Sequence, residues 1–288
     1  MSNVLLIDGN NLVCQTLGKP PLCFNGKRTE AIKISMAMLR SYIVNFDPEK
    51  VVVFWDGGRD ERRIKIYPDY KKRKEQTEAE RAEKKIFFEQ MDEVRELFSA
   101  LGIEQIRVPG READDVIYSY LEQNIESYGE AQPVIVSTDA DMFQILSYYA
   151  HGKVLVFSPV KKILIDRVWV EEKYGIAIED FVIWKSLVGD TSDNIPGIRG
   201  IGPIRAKKLI NEKRVYDEIN LGELLVQLEL VLLYLLDEKE IMKGEILCAT
   251  KENILDRAIE LFEKYGFEQP LGDVASWVGP FLRLRKAR

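Results

Sequence analysis

The sequence has few of the residues that hold disulfides and nitrogen- or sulfur-ligated metals. Its 288 residues include three cysteines, Cys14, Cys23 and Cys248, and one histidine, His151. An odd cysteine count without a Cys-x-x-Cys pair argues against a disulfide framework and a zinc ribbon. A single histidine excludes two-histidine zinc sites, and any Ser-His-Asp triad would have to use His151.

Long apolar runs and export signals are also missing. The longest apolar stretch, residues 224–236, is too short to span a bilayer and contains Glu229. The start, MSNVLLIDGNN, has no basic n-region and no cleavage site of a signal peptide. With 46% hydrophobic and 31% charged residues, the composition is that of a folded globular protein. We expect a cytoplasmic protein that makes no membrane contact.

The net charge of −6 is unusual for a protein that binds a polyanion, but the charges are unevenly distributed. Residues 59–74 contain eight Lys/Arg and three Asp/Glu, and residues 196–214 contain six Lys/Arg and one Glu. The tail, residues 283–288, adds four cations. The acidic residues must therefore concentrate elsewhere, and their positions are informative.

Short β-rich runs alternate with helical patterns over about the first 170 residues. Three of the runs are almost continuously apolar, as in parallel strands buried on both faces. The predicted strands are residues 4–8, 51–56, 104–108, 134–139, 154–158 and 163–166, and the predicted helices are residues 29–45, 77–101 and 112–128. This order predicts a three-layer α/β fold with a mostly parallel sheet and flanking helices.

From about residue 180 the pattern is helical. A Gly/Pro-rich segment interrupts it at residues 194–203, and further helices are predicted at residues 221–244 and 254–265. We therefore expect an α/β core over residues 1–180 and a helical region over residues 181–288.

Three predicted strands end in an aspartate: Asp8, Asp56 and Asp139. A single strand-end aspartate is well explained as a helix N-cap. Three such residues indicate a site, because ligands of parallel sheets bind outside the carboxyl ends of the strands. Further acids lie in GREADD, in DAD and in GDTSD: Glu112, Asp114, Asp115, Asp141, Asp190 and Asp193. For those in GREADD, stabilisation of a first helical turn is an alternative explanation.

Nine carboxylates in one cleft would repel one another and raise one another's pKa values unless cations balance them. With no histidine or thiolate nearby, the ligands would all be oxygen, which suits Mg²⁺ or Mn²⁺. Without these nine charges the rest of the chain would carry a net +3, consistent with a polyanionic substrate. A carboxylate-held metal pair is a known catalyst of phosphodiester hydrolysis.

The ordered segments LLIDGNN, VFWDGG, YPDYKKRK, GREADD, STDADM and GDTSDNIPGIRGIG resemble the 5′-nuclease family of flap endonucleases and 5′–3′ exonucleases. The likeness covers about residues 4–210 and is to the free-standing phage and bacterial branch. It implies a helical arch at about residues 59–90 and a DNA-binding helix-three-turn-helix at about residues 181–211. It further implies two-metal hydrolysis of 5′-flap, nicked or branched DNA without a covalent intermediate, and RNA primers as a further substrate.

The resemblance also implies roles for individual residues. Two or more Mg²⁺ (or Mn²⁺) ions would be held by Asp8, Asp56, Glu112, Asp114 and Asp115 at one site and by Asp139, Asp141, Asp190 and Asp193 at the other. Lys71 would reach the scissile phosphate, and Tyr70 would stack on a terminal base. The remaining nucleic-acid contacts would come from Arg73, Lys74, Gly197, Gly200, Gly202, Arg205, Lys207 and Lys208. Potassium is expected at the helix-three-turn-helix. For the Lys/Arg run, a solvated helix face is the alternative explanation.

Three positions depart from the family pattern. The family often has an arginine where this chain has Gln15, an arginine where it has Lys74, and a lysine where it has Ile204. None of these removes a proposed metal ligand, so we expect activity with altered affinity or substrate preference. The alternatives are a PIN-like ribonuclease or phosphatase with a similar acidic site, and a catalytically silent DNA-structure-binding relative. We expect a monomer, and the sequence shows no motif for a protein partner.

Overall fold

A computed structural model describes residues 2–72, 76–149, 152–242, 244–247, 253–268 and 272–284. The predicted contacts of Arg73 and Lys74 lie outside these residues, as do His151, Cys248 and the tail beyond Leu284.

A seven-stranded sheet organises the fold, with β1 in the middle between β4 and β6. The strand order is β8-β7-β6-β1-β4-β5-β9, and the pairs from β7 to β5 are parallel. The two edge strands, β8 and β9, are antiparallel to their neighbours. The strands of this sheet and of a separate two-stranded hairpin are β1 (Asn3–Asp8), β2 (Cys23–Phe24), β3 (Lys27–Arg28), β4 (Pro48–Trp55), β5 (Glu104–Arg107), β6 (Gln132–Val136), β7 (Leu155–Ser158), β8 (Ile163–Ile165) and β9 (Glu245–Leu247).

Helices cover both faces of the sheet. They are α1 (Gly9–Cys14), α2 (Glu30–Phe46), α3 (Glu61–Ile66), α4 (Glu78–Ala100), α5 (Ala113–Asn124), α6 (Ile145–Tyr148), α7 (Arg167–Tyr174), α8 (Phe181–Val188), α9 (Pro203–Asn211), α10 (Val215–Glu218), α11 (Leu221–Val231), α12 (Glu238–Met242), α13 (Ile254–Tyr265) and α14 (Val274–Arg283). Within the described residues, every helix is too short or too polar to cross a bilayer.

Side-chain alternation along β1 explains the three layers. Leu5 and Ile7 point into a core with α2, α4, α13 and α14, while Val4 and Leu6 point into a second core with α5 and α8. All four side chains are fully buried, so β1 needs apolar residues at every position. The predicted three-layer, mostly parallel α/β fold is confirmed.

The longest helix, α4, begins where the sequence predicts. Thr77 and Glu80 form a capping box: the Thr77 hydroxyl accepts from the Glu80 N–H at 3.2 Å, and the Glu80 carboxylate accepts from the Thr77 N–H at 2.8 Å. In its described part, the predicted arch over residues 59–90 comprises α3, the segment up to Lys72 and the first half of α4.

The predicted helix over residues 221–244 is wrong in its second half. The chain leaves α11 after Val231 and enters α12 only at Glu238. In the segment between α11 and α12, backbone N–H groups bond to buried side chains of other elements instead of to helix carbonyls. The Leu233 N–H donates to Gln144, the Tyr234 N–H to Asp115 and the Leu236 N–H to Ser119. These partners lie about 90 to 120 residues away in the chain, so local periodicity does not reveal the break.

Two strand pairings were not predicted. β9 follows the break and pairs antiparallel with β5, and the β2–β3 hairpin has only two residues in each strand. Because β9, α13 and α14 belong to the same sheet and core as the first 180 residues, the C-terminal region packs on the α/β core. The division into residues 1–180 and 181–288 stays a prediction.

Replacing Gln144 with leucine should destabilise the protein by about 1–3 kcal/mol, because it leaves the buried Val231 carbonyl and Leu233 N–H without partners. Urea unfolding would measure the loss. The matched control is Gln123→Leu, since the exposed Gln123 bonds the Leu236 carbonyl where water can replace it. Equal losses in the two variants would contradict the explanation of the helix break.

Candidate active site

The three strand-end aspartates meet at one edge of the sheet, as predicted. Asp8 is the last residue of β1 and accepts from the Asn11 N–H at 2.9 Å, and Asp56 directly follows β4 and accepts from the Ala113 N–H at 2.9 Å. Asp139 follows β6 and accepts from the Asp141 N–H at 2.9 Å. Each aspartate thus holds a backbone N–H group at its strand end, while all three line the same cleft.

The cleft has a volume of about 740 Å³, with a floor and two sides. Its floor is the carboxylate group Asp8, Asp56, Glu112, Asp114 and Asp139. One side is α1 with the segment after it, up to Lys19, and the other side is the first half of α4. Lys71 lies on the same surface. The cleft therefore places acids and a lysine beneath the predicted arch.

Burial and mutual repulsion disfavour the charged forms of the floor carboxylates. Burial, followed by the charge of Asp56, raises the pKa of Asp8 to about 8. Burial, followed by the charge of Asp114, raises the pKa of Glu112 to about 7. Burial also raises the pKa values of Asp56 and Asp139. The cluster needs cations to hold its full negative charge.

Lys71 supplies one of these cations. Its ammonium lies 2.9 Å from Glu112 Oε1 and 3.5 Å from Asp193 Oδ2. Its backbone N–H donates to the Asp193 carbonyl at 2.9 Å, and Asn194 Nδ2 donates to the Asp69 and Lys72 carbonyls. The base of the predicted arch is thereby tied to the loop that follows α8.

Lys185, which the sequence analysis did not single out, supplies another. Its side chain is only 6% exposed, and its ammonium pairs with Asp141 and lies 2.8 Å from Asp190 Oδ2. Burial alone would raise the pKa of Asp190, but Lys185 and the hydrogen bonds from Ser192 lower it to about 2. A lysine within the apolar stretch FVIWKSLV of α8 is the sequence signal that was available.

Arg63 is the third cation of the site and, like Lys185, is buried, at 2% exposure. It donates to both carboxylate oxygens of Asp115, at 2.8 and 3.0 Å, and to Glu112 Oε2 at 3.0 Å. Asp115 is fully buried and also accepts from the Tyr234 N–H, so both its oxygens face Arg63 and the backbone. For Arg63, the alternative of a solvated helix face is wrong.

The prediction that Tyr70 stacks on a terminal base is wrong in this structure. The Tyr70 side chain is 3% exposed, because it packs with Ile195, Leu230 and Val231. Its hydroxyl donates to Glu112 Oε2 at 2.7 Å. Tyr70 therefore orients Glu112 from within the protein core.

Asparagines after β1 connect the three strand ends and were also missed. Asn10 Oδ1 accepts from the Asp56 N–H at 2.9 Å. Asn11 donates to the Thr138 hydroxyl at 2.7 Å and accepts from the Thr138 N–H at 3.0 Å. Gln15, at the first departure position, donates to Asn11 Oδ1 at 3.3 Å. The Asn-Asn pair directly after a strand-end aspartate was the available signal.

The carboxylates suit a hard divalent cation in chemistry but do not form a ready-made cage. All donors are oxygens, and burial penalises their charge, as expected for a group completed by a cation. In the described ranges, no three Asp, Glu, His or Cys side chains form a group that could hold a metal ion as they stand. Lys71 and Lys185 bind several of these acids directly, so metal binding would require these lysines or the carboxylates to move.

The loop between α8 and α9 carries the predicted glycines, and they differ in role. The Gly197 N–H donates to Gln227 Oε1 at 3.1 Å, and a Cβ there would lie 2.5 Å from the Val188 carbonyl carbon. The prediction that Gly197 offers its amide to a phosphate is therefore wrong, because the glycine allows the loop to pack on α8. Around Gly200 and Gly202 the space is open.

α9 presents the predicted basic side chains. Pro203 occupies its first turn, and Arg205, Lys207 and Lys208 are exposed. Ile204, in place of the family's lysine, is 87% exposed at the same end of the helix. The open backbone at Gly202 therefore adjoins the end of α9 that presents Arg205.

Replacing Arg63 with methionine should cost about 3–5 kcal/mol of stability, because it leaves Asp115 buried without its cation. The control is Arg167→Met: Arg167 is 30% exposed and pairs at 2.6 Å with Glu179, which is 56% exposed, so its loss should cost about 1 kcal/mol or less. Chemical denaturation of both variants checks this. Similar costs would contradict a structural role for the Arg63–Asp115 pair.

Known proteins resemble this chain in sequence. The family described as "5′-3′ exonuclease, N-terminal resolvase-like domain" matches residues 3–175. DNA polymerase I of Deinococcus radiodurans is 36% identical over 229 residues, which cover 77% of this chain and 22% of that protein. The 5′-3′ exonuclease of Aquifex aeolicus is 33% identical, covering 76% of this chain and 71% of the relative. Flap endonuclease Xni of Shewanella denitrificans is 31% identical, covering 77% and 84%. The chain spans about a quarter of the length of the polymerase I relatives.

Solved structures agree with this in fold. The crystal structure of the T5 D15 protein with metal ions superposes with a TM-score of 0.63 at 22% identity, over 99% of both chains. The zinc-bound T5 5′-exonuclease has a TM-score of 0.64 at 20% identity, over 99% of this chain and 100% of that chain. With more than half of its residues matched by the family and relatives above 30% identity, the chain belongs to the 5′–3′ exonuclease family with the N-terminal resolvase-like domain.

Proposed function

We propose that the chain is a metal-dependent, structure-specific 5′ nuclease that hydrolyses phosphodiester bonds in 5′-flap, nicked or branched DNA. It would act both as a 5′–3′ exonuclease and as a flap endonuclease. The observation that carries the proposal is the convergence of strand-end carboxylates and Lys71 on one cleft beside α4. Relatives named 5′-3′ exonuclease and flap endonuclease Xni support it.

The cleft residues divide the work between metal and substrate. Asp8, Asp56, Glu112, Asp114 and Asp139 face the cleft and would hold Mg²⁺ or Mn²⁺, with Asp141, Asp190 and Asp193 completing the set beside Lys185 and Lys71. When bound, divalent cations lower the pKa of an attacking water and stabilise the leaving oxygen. Asp115 would not face the cleft. It pairs with Arg63, which also pairs with Glu112, and so would help to position Glu112.

Lys71 is the proposed cation for the scissile phosphate. Its ammonium lies between the carboxylates of Glu112 and Asp193, and its side chain is partly exposed, so a phosphate oxygen can replace one of them. A positive group placed where charge develops stabilises the transition state. With Tyr70 and Arg63 fixing Glu112, the position of Lys71 is set from inside the protein.

DNA would lie across the α8–α9 loop and α9. Open backbone at Gly200 and Gly202 and the side chains Arg205, Lys207 and Lys208 can contact phosphates without reading bases. The proposal includes a potassium ion at this loop and RNA primers paired to DNA as a further substrate. The enzyme would be a monomer and would work in the cytoplasm of a cell or of a phage-infected host.

Cleavage of a labelled 5′-flap duplex tests the function. With Mg²⁺ the wild-type chain should cut near the junction, a chelator should stop it, and Asp139→Ala should reduce the rate by about a thousandfold or more, as expected for loss of a metal ligand. Asp166→Ala is the matched control, because Asp166 also caps a helix, accepting from the Trp169 N–H at 2.8 Å, but is not among the cleft residues.

Two outcomes would overturn the proposal. If the wild-type chain binds flap DNA tightly but does not cut it with Mg²⁺ or Mn²⁺, it is a silent structure-binding relative. If it cuts single-stranded RNA and ignores flap DNA, it is a ribonuclease of the PIN-like kind. Equal losses in Asp139→Ala and Asp166→Ala would place the cleavage chemistry elsewhere.

A further inference from the structure

Two lysines near α7 have their ammonium groups close to the same indole ring. Lys161, in the turn between β7 and β8, has its ammonium 4.7 Å from the centre of the Trp169 ring. Lys173, in the last turn of α7, has its ammonium 4.9 Å from the same ring. Trp169 and Tyr174 each pack edge to face against Phe143, so the lysine pair lies over a cluster of aromatic rings.

Among the described residues, neither ammonium group forms an ion pair with a carboxylate. Burial against the ring, followed by the charge of Lys173, lowers the pKa of Lys161. Lys161, its neighbour Lys162 and Lys173 form no ion pair in the parts of the chain that the structure describes. By contrast, Arg167, Arg205 and Lys208 each pair with a glutamate. Two ammonium groups held together without an anion are a favourable place for a phosphate to bind.

The lysine pair is continuous with the basic face of α9. Gly175 ends α7 two residues after Lys173, and the Lys207 ammonium lies against it, where a Cβ would collide. Asn211 of α9 donates to the Gly175 carbonyl at 3.1 Å. The end of α7 is therefore fixed against the helix that presents Arg205, Lys207 and Lys208.

We propose that Lys161 and Lys173 form a second phosphate-contact site, which binds the backbone of the same DNA duplex that lies across α9. This proposal rests on the proposed function. It adds that the protein contacts a longer stretch of the duplex than the helix-three-turn-helix alone would cover. Duplex DNA carries about one phosphate charge per 1.7 Å of its axis, so an arm lying on α9 presents further phosphates alongside α7. The contacts involve charge only, and the site would not read base sequence.

Binding to 5′-flap DNA in the presence of a chelator tests the site without cleavage. Lys161→Ala combined with Lys173→Ala should weaken binding about tenfold when the duplex arms are about 24 base pairs long, and should have little effect when they are about 8 base pairs long. In a plot of log affinity against log salt concentration, the negative slope should become shallower by about 2, because two phosphate contacts are lost.

The matched control is Lys239→Ala combined with Lys264→Ala, which removes two exposed lysine charges on α12 and α13. It should leave the arm-length dependence and the salt slope unchanged. If the Lys161/Lys173 variant behaves like this control while the wild-type chain still binds and cuts flap DNA, the second site is wrong and the proposed function stands. If it loses affinity equally for short and long arms, the lysines are not a distal contact. If the wild-type chain binds no flap DNA, the proposed function fails and this site with it.

Discussion

The structure depends on the burial of carboxylates where three neighbouring parallel strands end. Asp8, Asp56 and Asp139 lie at adjacent strand ends because β1 is the central strand, flanked by β4 and β6. Withdrawal from water raises their pKa values, and the charges of neighbouring acids raise that of Asp8 further. Burying several ionised carboxylates together is energetically unfavourable unless positive charges lie beside them. The remaining residues of the site provide those positive charges.

Three buried or half-buried cations come from three separate parts of the chain. Arg63 arrives on α3 and holds Asp115 and Glu112, Lys71 follows at the base of the predicted arch, and Lys185 projects from α8 onto Asp141 and Asp190. These pairs also connect α3, α5 and α8 around the sheet edge. The ion pairs that offset the repulsion between the acids thus also hold these elements together, and a divalent cation would have to compete with lysines already in place.

The sequence was informative where a local pattern decides the outcome. Apolar runs located β1, β4 and β6, and Thr77 with Glu80 marked the start of α4. Strand-end aspartates located the edge of the sheet at which the cleft lies. Local pattern failed where distant residues decide: Asp115, Ser119 and Gln144 break the predicted helix after Val231, and the burial of Tyr70 and Arg63 depends on α11 and on the segment after it. The prediction of a phosphate contact at Gly197 failed because glycine is favoured for two different reasons, close packing against another backbone and close approach of a ligand. At Gly197 the reason is close packing against α8.

The most direct test of this account is the number of protons released when Mg²⁺ or Mn²⁺ binds to the DNA-free protein. Calorimetry at pH 7 in buffers of different ionisation enthalpy gives that number. Because the pKa of Asp8 is raised to about 8 and that of Glu112 to about 7, binding should release about one proton or more. Near pH 7 affinity should rise with pH by about tenfold per unit or more, and it should level off above about pH 9, where the competing protons are gone. Metal binding without proton release at pH 7, and with an affinity independent of pH, would contradict the central claim that these carboxylates are buried and await a cation.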